Sequence, residues 1–99
     1  MVHKVIWTDE AIADLRQIVS HIAEDNPAAA VKVGEELIRK SLLLAGQPRM
    51  GRMLPKIKRD SLREIIIRPY RLIYEIDDAS STLRVRVLWH GARQEPEIQ

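Results

Sequence analysis

Residues 63–93 read REIIIRPYRLIYEIDDASSTLRVRVLWHGAR. Within this stretch and just before it, Leu62 to Arg68, Tyr70 to Asp77 and Thr82 to Trp89 form three runs rich in β-branched and aromatic residues. They are separated only by Pro69 and by Asp78-Ala79-Ser80-Ser81, which is the signature of strands joined by tight turns. Connections this short join neighbouring strands antiparallel, so the three runs are predicted to form a meander. Period-two alternation then sorts the side chains. On the middle run Tyr70, Leu72, Tyr74 and Ile76 point one way, with Arg71, Ile73, Glu75 and Asp77 opposite. On the last run Leu83, Val85, Val87 and Trp89 are expected on the core face and Arg84, Arg86, Leu88 and His90 on the other.

Upstream, His3 to Trp7 reads as a short strand ended by Thr8, a good helix N-cap. Asp9 and Glu10 follow in the first helical turn, where the helix dipole favours negative charge. Ala11, Ile12, Leu15, Ile18, Val19 and Ile22 recur at helical spacing and predict a helix from about Asp9 to Glu24. Asn26-Pro27 opens a second helix, since asparagine caps well and proline is tolerated at the first helical position. Its stripe is Ala30, Val33, Leu37, Ser41 and Leu44, widened by Val31, Ile38 and Leu42, until Gly46 and Pro48 stop it. So short a link makes the two helices an antiparallel hairpin. The predicted fold is therefore α+β: an N-terminal strand, then a helix hairpin packed on a small antiparallel sheet.

The chain has 99 residues, 45% of them hydrophobic, which suits a single domain spanning 1–99 and one core. There is no cysteine, which excludes a disulfide framework and fits a reducing compartment. The N-terminus lacks the apolar core of a secretory signal, and a cytoplasmic location is expected. Net charge is +2, but residues 1–46 hold five Lys/Arg against seven Asp/Glu while residues 47–99 hold eleven against seven. Positive charge downstream suits an acidic partner or nucleic acid, or simply a soluble basic surface.

Gln47 to Asp60 has no sustained periodicity. It carries Arg49, Arg52, Lys56, Lys58 and Arg59 against Asp60 alone. Such length is unusual for a connection in a small domain and fits either a functional loop or a solvated link. The outer face of the sheet is expected to hold Ile73 and Leu88 and part of the Ile65-Ile66-Ile67 run, beside Arg63, Arg71, Arg84 and Arg86. An apolar patch rimmed by arginine fits a docking surface for another chain, or partial cover by the 47–60 loop or the C-terminal tail.

Little chemistry is available. A metal-free nuclease needs a base, an acid and cationic stabilisation of the transition state. Arginine supplies the last, but Tyr70 and Tyr74 fall on the core face, and His3 and His21 have no acidic partner visible in the sequence. His90 alone is expected beside the outer-face arginines. No metal signature, cofactor motif or glycine-rich phosphate loop occurs. Asp77-Asp78 fits turn chemistry. With Trp89, Tyr70 and Tyr74 assigned to the core face, a base-stacking platform is absent, and direct nucleic-acid binding is not expected.

Trp7, Ala11, Asp14-Leu15, Ile18, Ile22, Asn26-Pro27, Ala29-Ala30, Gly51-Arg52, Pro55, Arg63-Glu64, Tyr70-Arg71-Leu72-Ile73-Tyr74 and His90-Gly91-Ala92-Arg93 together resemble the ParE branch of the ParE/RelE toxin superfamily. The match runs nearly the whole chain in order. The resemblance implies a type II toxin–antitoxin toxin with a helix hairpin on an antiparallel sheet, neutralised by a ParD-like antitoxin in a hetero-oligomeric complex. ParE-like members poison DNA gyrase without catalysing a reaction. RelE-like members cut messenger RNA on the ribosome, with basic residues and usually a tyrosine or histidine near the C-terminus. Here the tail after His90 has neither, which sides with ParE and implies a non-enzymatic gyrase-directed toxin with no cofactor and no catalytic residue. The alternatives are a RelE-like endoribonuclease, with Arg71, Arg86 and Arg93 holding phosphate, and a non-toxic member acting only in an antitoxin complex. The antitoxin is expected at Arg63, Ile65, Arg71, Ile73, Arg84 and Arg86. Candidates for target contact are Arg49, Arg52, Lys56, Lys58, Arg59, His90 and Arg93.

Overall fold

The computed structural model describes residues 2–91. Strand β1 (Lys4–Trp7) leads into helices α1 (Asp9–Asp25) and α2 (Pro27–Leu43). A single 3-10 turn (Pro48–Met50) precedes β2 (Arg52–Met53), β3 (Leu62–Ile67), β4 (Tyr70–Asp77) and β5 (Thr82–His90). The sheet order is β1-β5-β4-β3-β2. The meander β3-β4-β5 is antiparallel as the sequence predicts, but the sheet is mixed, because β1 lies parallel to β5. The helix hairpin between β1 and the meander supplies the crossover that a parallel neighbour requires.

The caps work as predicted. Thr8 Oγ1 accepts the Ala11 N–H at 3.2 Å, and Asn26 Oδ1 accepts the Ala29 N–H at 3.1 Å. Thr8 also donates to the Val85 carbonyl at 3.0 Å, and Asp14 accepts the Leu88 N–H at 3.1 Å. These two side chains take over where β1, which ends opposite Val85, stops pairing with β5.

Between the helices and the sheet lies the larger core, built on Ala11, Leu37, Leu44, Ile67, Leu72, Tyr74, Ile76, Leu83, Val85 and Leu88. Trp7 Nε1 donates to Ser41 Oγ at 3.1 Å, and that hydroxyl donates to the Ile38 carbonyl at 2.7 Å, so the buried serine of α2 is fully used. Val31, Ile38 and Leu42, expected to widen the buried stripe of α2, are instead exposed at 58%, 42% and 57%. They lie beyond the arc of the helix that the sheet and α1 cover.

A β-bulge alters the predicted faces. Ile73 pairs with Val87 and Tyr74 with Val85, which leaves Arg86 as an extra residue in β5. One extra residue reverses the alternation downstream of it. Leu88 therefore joins the core beneath the helices, while Val87 and Trp89 turn to the outer face. His90, paired with Tyr70, also lies on the helix side, its ring edge-on to Tyr70 at 5.8 Å. Strand β3 also differs from expectation, here with no bulge, through its register with β4. Arg63 and Ile65 pair with Tyr74 and Leu72 and share their helix-side face, whereas Glu64 and Ile66 pair with Ile73 and Arg71 on the outer face.

Tyr74 is fully buried, as the alternation requires. Its hydroxyl accepts the Gly51 N–H at 3.0 Å and donates to the Pro48 carbonyl at 2.5 Å, tying the 3-10 turn to the sheet. Burial raises its pKa above the ordinary phenol value. A Cβ on Gly51 would come within 2.5 Å of the Glu64 carbonyl and 2.6 Å of the Tyr74 hydroxyl, so only glycine lets the chain cross here. Replacing Tyr74 with Phe leaves the buried Gly51 N–H and the part-buried Pro48 carbonyl without this partner and should cost about 1–3 kcal/mol, measured by urea unfolding.

Candidate functional site

The outer sheet face is roofed. After β2 the chain folds back over it, and Leu54 and Ile57 pack with Leu62, Ile73, Val87 and Trp89 in a second apolar core. Ile73 has no exposed surface and Leu54 has 1%. The expectation of an open apolar patch at Ile73 and Leu88 is thus corrected twice: Leu88 faces the helices, and the 54–61 segment covers Ile73. Ile73→Asp would place a charge in a closed core and unfold the domain, not report on a partner.

Beside this core lies the densest electrostatic feature of the molecule. The Glu64 side chain has no exposed surface, and two guanidiniums hold it: Arg52 Nε at 2.6 Å, and Arg71 through Nε at 2.7 Å and a terminal nitrogen at 2.5 Å. The Arg71 guanidinium carbon also sits 4.5 Å from the centre of the Trp89 ring, a cation–π contact. Glu75 is shared in the same manner by Arg59 of the roof and Arg86 of the bulge. At the end of the sheet Asp60 takes hydrogen bonds from Arg49 and Arg63, and Asp78 from Arg49 and His3. Arg63 in addition donates to the Asp60 and Gly51 carbonyls at 2.9 and 2.8 Å, which makes it the staple of the 49–60 segment.

The sequence-predicted residues are thus dispersed. Arg49, Arg52, Arg59, Arg63, Arg71 and Arg86 are paired with carboxylates, and Arg84 stands exposed on the outer face. Lys56 and Lys58 are exposed on the roof. Ile65 lines a groove on the other side of β3, with Lys40, Leu43 and Met50. His90 is separated from the outer-face arginines, and Arg93 lies outside the described residues. His3, expected to lack an acidic partner, hydrogen-bonds Asp78 at 3.0 Å. Asp77 accepts the Ser80 N–H at 3.2 Å, the turn role read from sequence, whereas Asp78 spends its carboxylate on Arg49 and His3. Groups of three or more side chains suited to a metal are absent among the described residues.

Sequence reasoning missed Glu64 and Trp89. Glu64 lay in an apolar run where only its burial marks it, and Trp89 was assigned to the wrong face by the bulge.

The sequence description "ParE toxin of type II toxin-antitoxin system, parDE" matches residues 5–95. The chain belongs to the ParE toxin family. It is 33% identical over 92 residues to Toxin RelE2 of Caulobacter vibrioides, a match covering 91% of this chain and 97% of that protein. The fold is similar to that of the chromosomal ParDE system from P. aeruginosa, with a TM-score of 0.74 and 18% identity over 90% of this chain and 96% of the other. It is also similar to the toxin–antitoxin complex RelBE2 from Mycobacterium tuberculosis, with a TM-score of 0.69 and 22% identity over 94% and 95% of the two chains. This ParE-family chain is a type II toxin of the ParE/RelE superfamily, and the two named structures represent both branches of its fold.

Two measurements probe the ion-pair network. Arg71→Met removes one guanidinium from a carboxylate that has no solvent contact and should destabilise the toxin toward the lower end of roughly 3–5 kcal/mol, because Arg52 remains. The clasp on Arg49 acts through acid stability. Hydrogen bonds from Arg49 hold the Asp60 and Asp78 carboxyls below the ordinary range, with Arg63 and His3 assisting. Both bind protons more weakly folded than unfolded. Their stabilisation is therefore complete above the unfolded aspartate pKa of about 3.9 and is lost as pH falls through the lower folded values. Denaturation followed from pH 7 to pH 2 should show that loss, and Arg49→Ala should flatten it.

Proposed function

We propose that this toxin acts on DNA gyrase without catalysing a reaction of its own and that a ParD-like antitoxin holds it inactive. The observation that carries this reading is the state of the outer sheet face. An endoribonuclease working there must offer cations to a phosphate and a proton donor to the leaving oxygen. Here the arginines of the face, Arg84 excepted, are spent on Glu64 and Glu75, and the roof of Leu54 and Ile57 occupies the place a nucleotide would take. Neither tyrosine of the meander nor His90 reaches that face: Tyr70, Tyr74 and His90 all lie on the helix side. A surface whose arginines are already held by internal carboxylates suits recognition of a folded partner better than capture of a polyanion.

An antitoxin fits the exposed apolar surface. Val31, Ile38, Leu42, Leu43, Met50, Met53 and Ile66 are each 42–58% exposed, an amount of exposed apolar surface that marks a binding site more than a solvated face. The similar chains from M. tuberculosis and P. aeruginosa belong to toxin–antitoxin systems, which supports the same assembly here. Among the groups expected to meet the antitoxin, Ile65 in the groove and the exposed Arg84 remain available to it. In this reading the toxin works in the cytoplasm, and the exposed Lys58 of the roof is a cation that the target can meet.

Purified toxin incubated with gyrase and supercoiled plasmid should inhibit supercoiling and accumulate cleaved DNA on detergent treatment, and prior addition of the antitoxin should abolish both effects. Codon-dependent cuts in a translating extract, lost on Arg71→Ala, together with untouched gyrase, would sink the proposal.

A further inference from the structure

The uncovered edge of β3 is built to receive a strand. Ile76 N–H donates to the Ser61 carbonyl at 2.7 Å, in line with the β3–β4 register in which Leu62 faces Glu75. In an antiparallel ladder the residues that bond across alternate with those that bond outward. Ser61, Arg63, Ile65 and Ile67 thus direct their main-chain groups to β4, and Leu62, Glu64 and Ile66 direct theirs to the opposite edge. Strand β2 meets that edge only through Arg52 opposite Glu64 and Met53 opposite Arg63. The next position in register would set Met50 against Ile66, but Met50 is in the 3-10 turn, where its N–H donates to the Gln47 carbonyl. Because the chain turns away at Gly51, the Ile66 N–H and C=O face an edge that β2 does not cover, and the Ile66 side chain is 50% exposed.

Beside this edge lies a groove of about 490 Å³ lined by Leu43, Met50, Ile65 and Ile67, with Lys40 on its rim. Arg52 also lines the groove, and the exposed Arg68 follows Ile67 in the chain. We infer that an extended segment of the antitoxin adds a strand to β3 at Ile65–Ile67, placing an apolar side chain in the Leu43–Met50 groove and carboxylates against Lys40 and Arg68. Main-chain bonds at such an edge supply affinity, and the alternate side chains supply specificity. A second copy of the toxin suits the edge badly. Two-fold pairing through Ile66 would carry Arg68 of each copy to the position facing Glu64 that Arg52 already holds, setting like charges together. The inference rests on the antitoxin reading above, and the test separates the two.

Amide hydrogen exchange is followed on the free toxin and on its purified complex with a ParD-like antitoxin. Exchange at Ile66 should slow at least tenfold in the complex, while Leu43→Asp, at a 56% exposed position, should leave the fold intact and weaken the complex at least tenfold. A stable complex in which Ile66 exchanges as in free toxin, or in which Leu43→Asp binds normally, overturns the strand-addition site and leaves the antitoxin reading standing. Failure of the two proteins to associate at all overturns that reading. Protection of Ile66 in the toxin alone, rising with concentration alongside a doubled mass, assigns the edge to a second copy and overturns the inference.

Discussion

Glu64 is a carboxylate whose side chain has no exposed surface, set in β3 between β4 and the short edge strand β2. A charge so placed is tolerated only when hydrogen-bonded counterions replace its water. Arg52 and Arg71 do this from β2 and β4, so one buried side chain ties three strands together and fixes where both arginines point. The position of Arg71 in turn lays its guanidinium over Trp89, and Trp89 forms part of the floor on which Leu54 and Ile57 rest. The roof over the outer face and the pairing of its arginines both follow from the same arrangement.

The bulge at Arg86 makes that arrangement possible. Without the extra residue, Trp89 would lie beneath the helices and the roof would have no aromatic floor. With it, each face of a single sheet gains its own apolar core, and full burial of Ile73 adds about 1.5–3 kcal/mol on the outer side. The division has a functional counterpart. The outer face is closed and its arginines, Arg84 excepted, are paired with internal carboxylates, while the helix side of β3 and the outer surface of α2 remain apolar and open. The proposed binding surface accordingly lies at the edge of the sheet and not in its middle.

Much of the fold was legible in the sequence because it depends on local signals. Thr8 and Asn26 cap the two helices as read, the meander follows from Pro69 and the Asp78 turn, and Tyr74 is a buried aromatic with a bonded hydroxyl. The parallel pairing of β1 was not legible, since periodicity shows that a strand exists but not which neighbour it takes. Nor was the bulge, because Arg84-Val85-Arg86-Val87 alternates cleanly and carries no glycine to betray an irregularity. That single miss misplaced Trp89, Leu88 and His90 together. The site was harder still. Leu54 and Ile57 sit among prolines and lysines in a segment without periodicity, and only the folded chain brings them onto Ile73. Arginines that look like a cationic rim in sequence are half of a set of ion pairs whose other half, Glu64, Glu75, Asp60 and Asp78, lies up to twenty-nine residues away. Val31, Ile38 and Leu42 follow helical spacing as faithfully as the core positions do. Spacing alone does not tell which arc of α2 the sheet covers.

The central claim is that the outer-face arginines serve Glu64 and Glu75 and are not offered to phosphate. The most direct test is to titrate a single-stranded RNA oligonucleotide into the isotope-labelled toxin and follow the guanidinium Nε–H resonances of Arg52 and Arg71 by NMR. If the pairs and the roof hold, these signals stay where they are in free toxin, protected from solvent exchange and insensitive to the oligonucleotide. Saturable shifts of the Arg71 signal, with release of Leu54 and Ile57 from the Trp89 ring, would contradict it and open the face to nucleic acid.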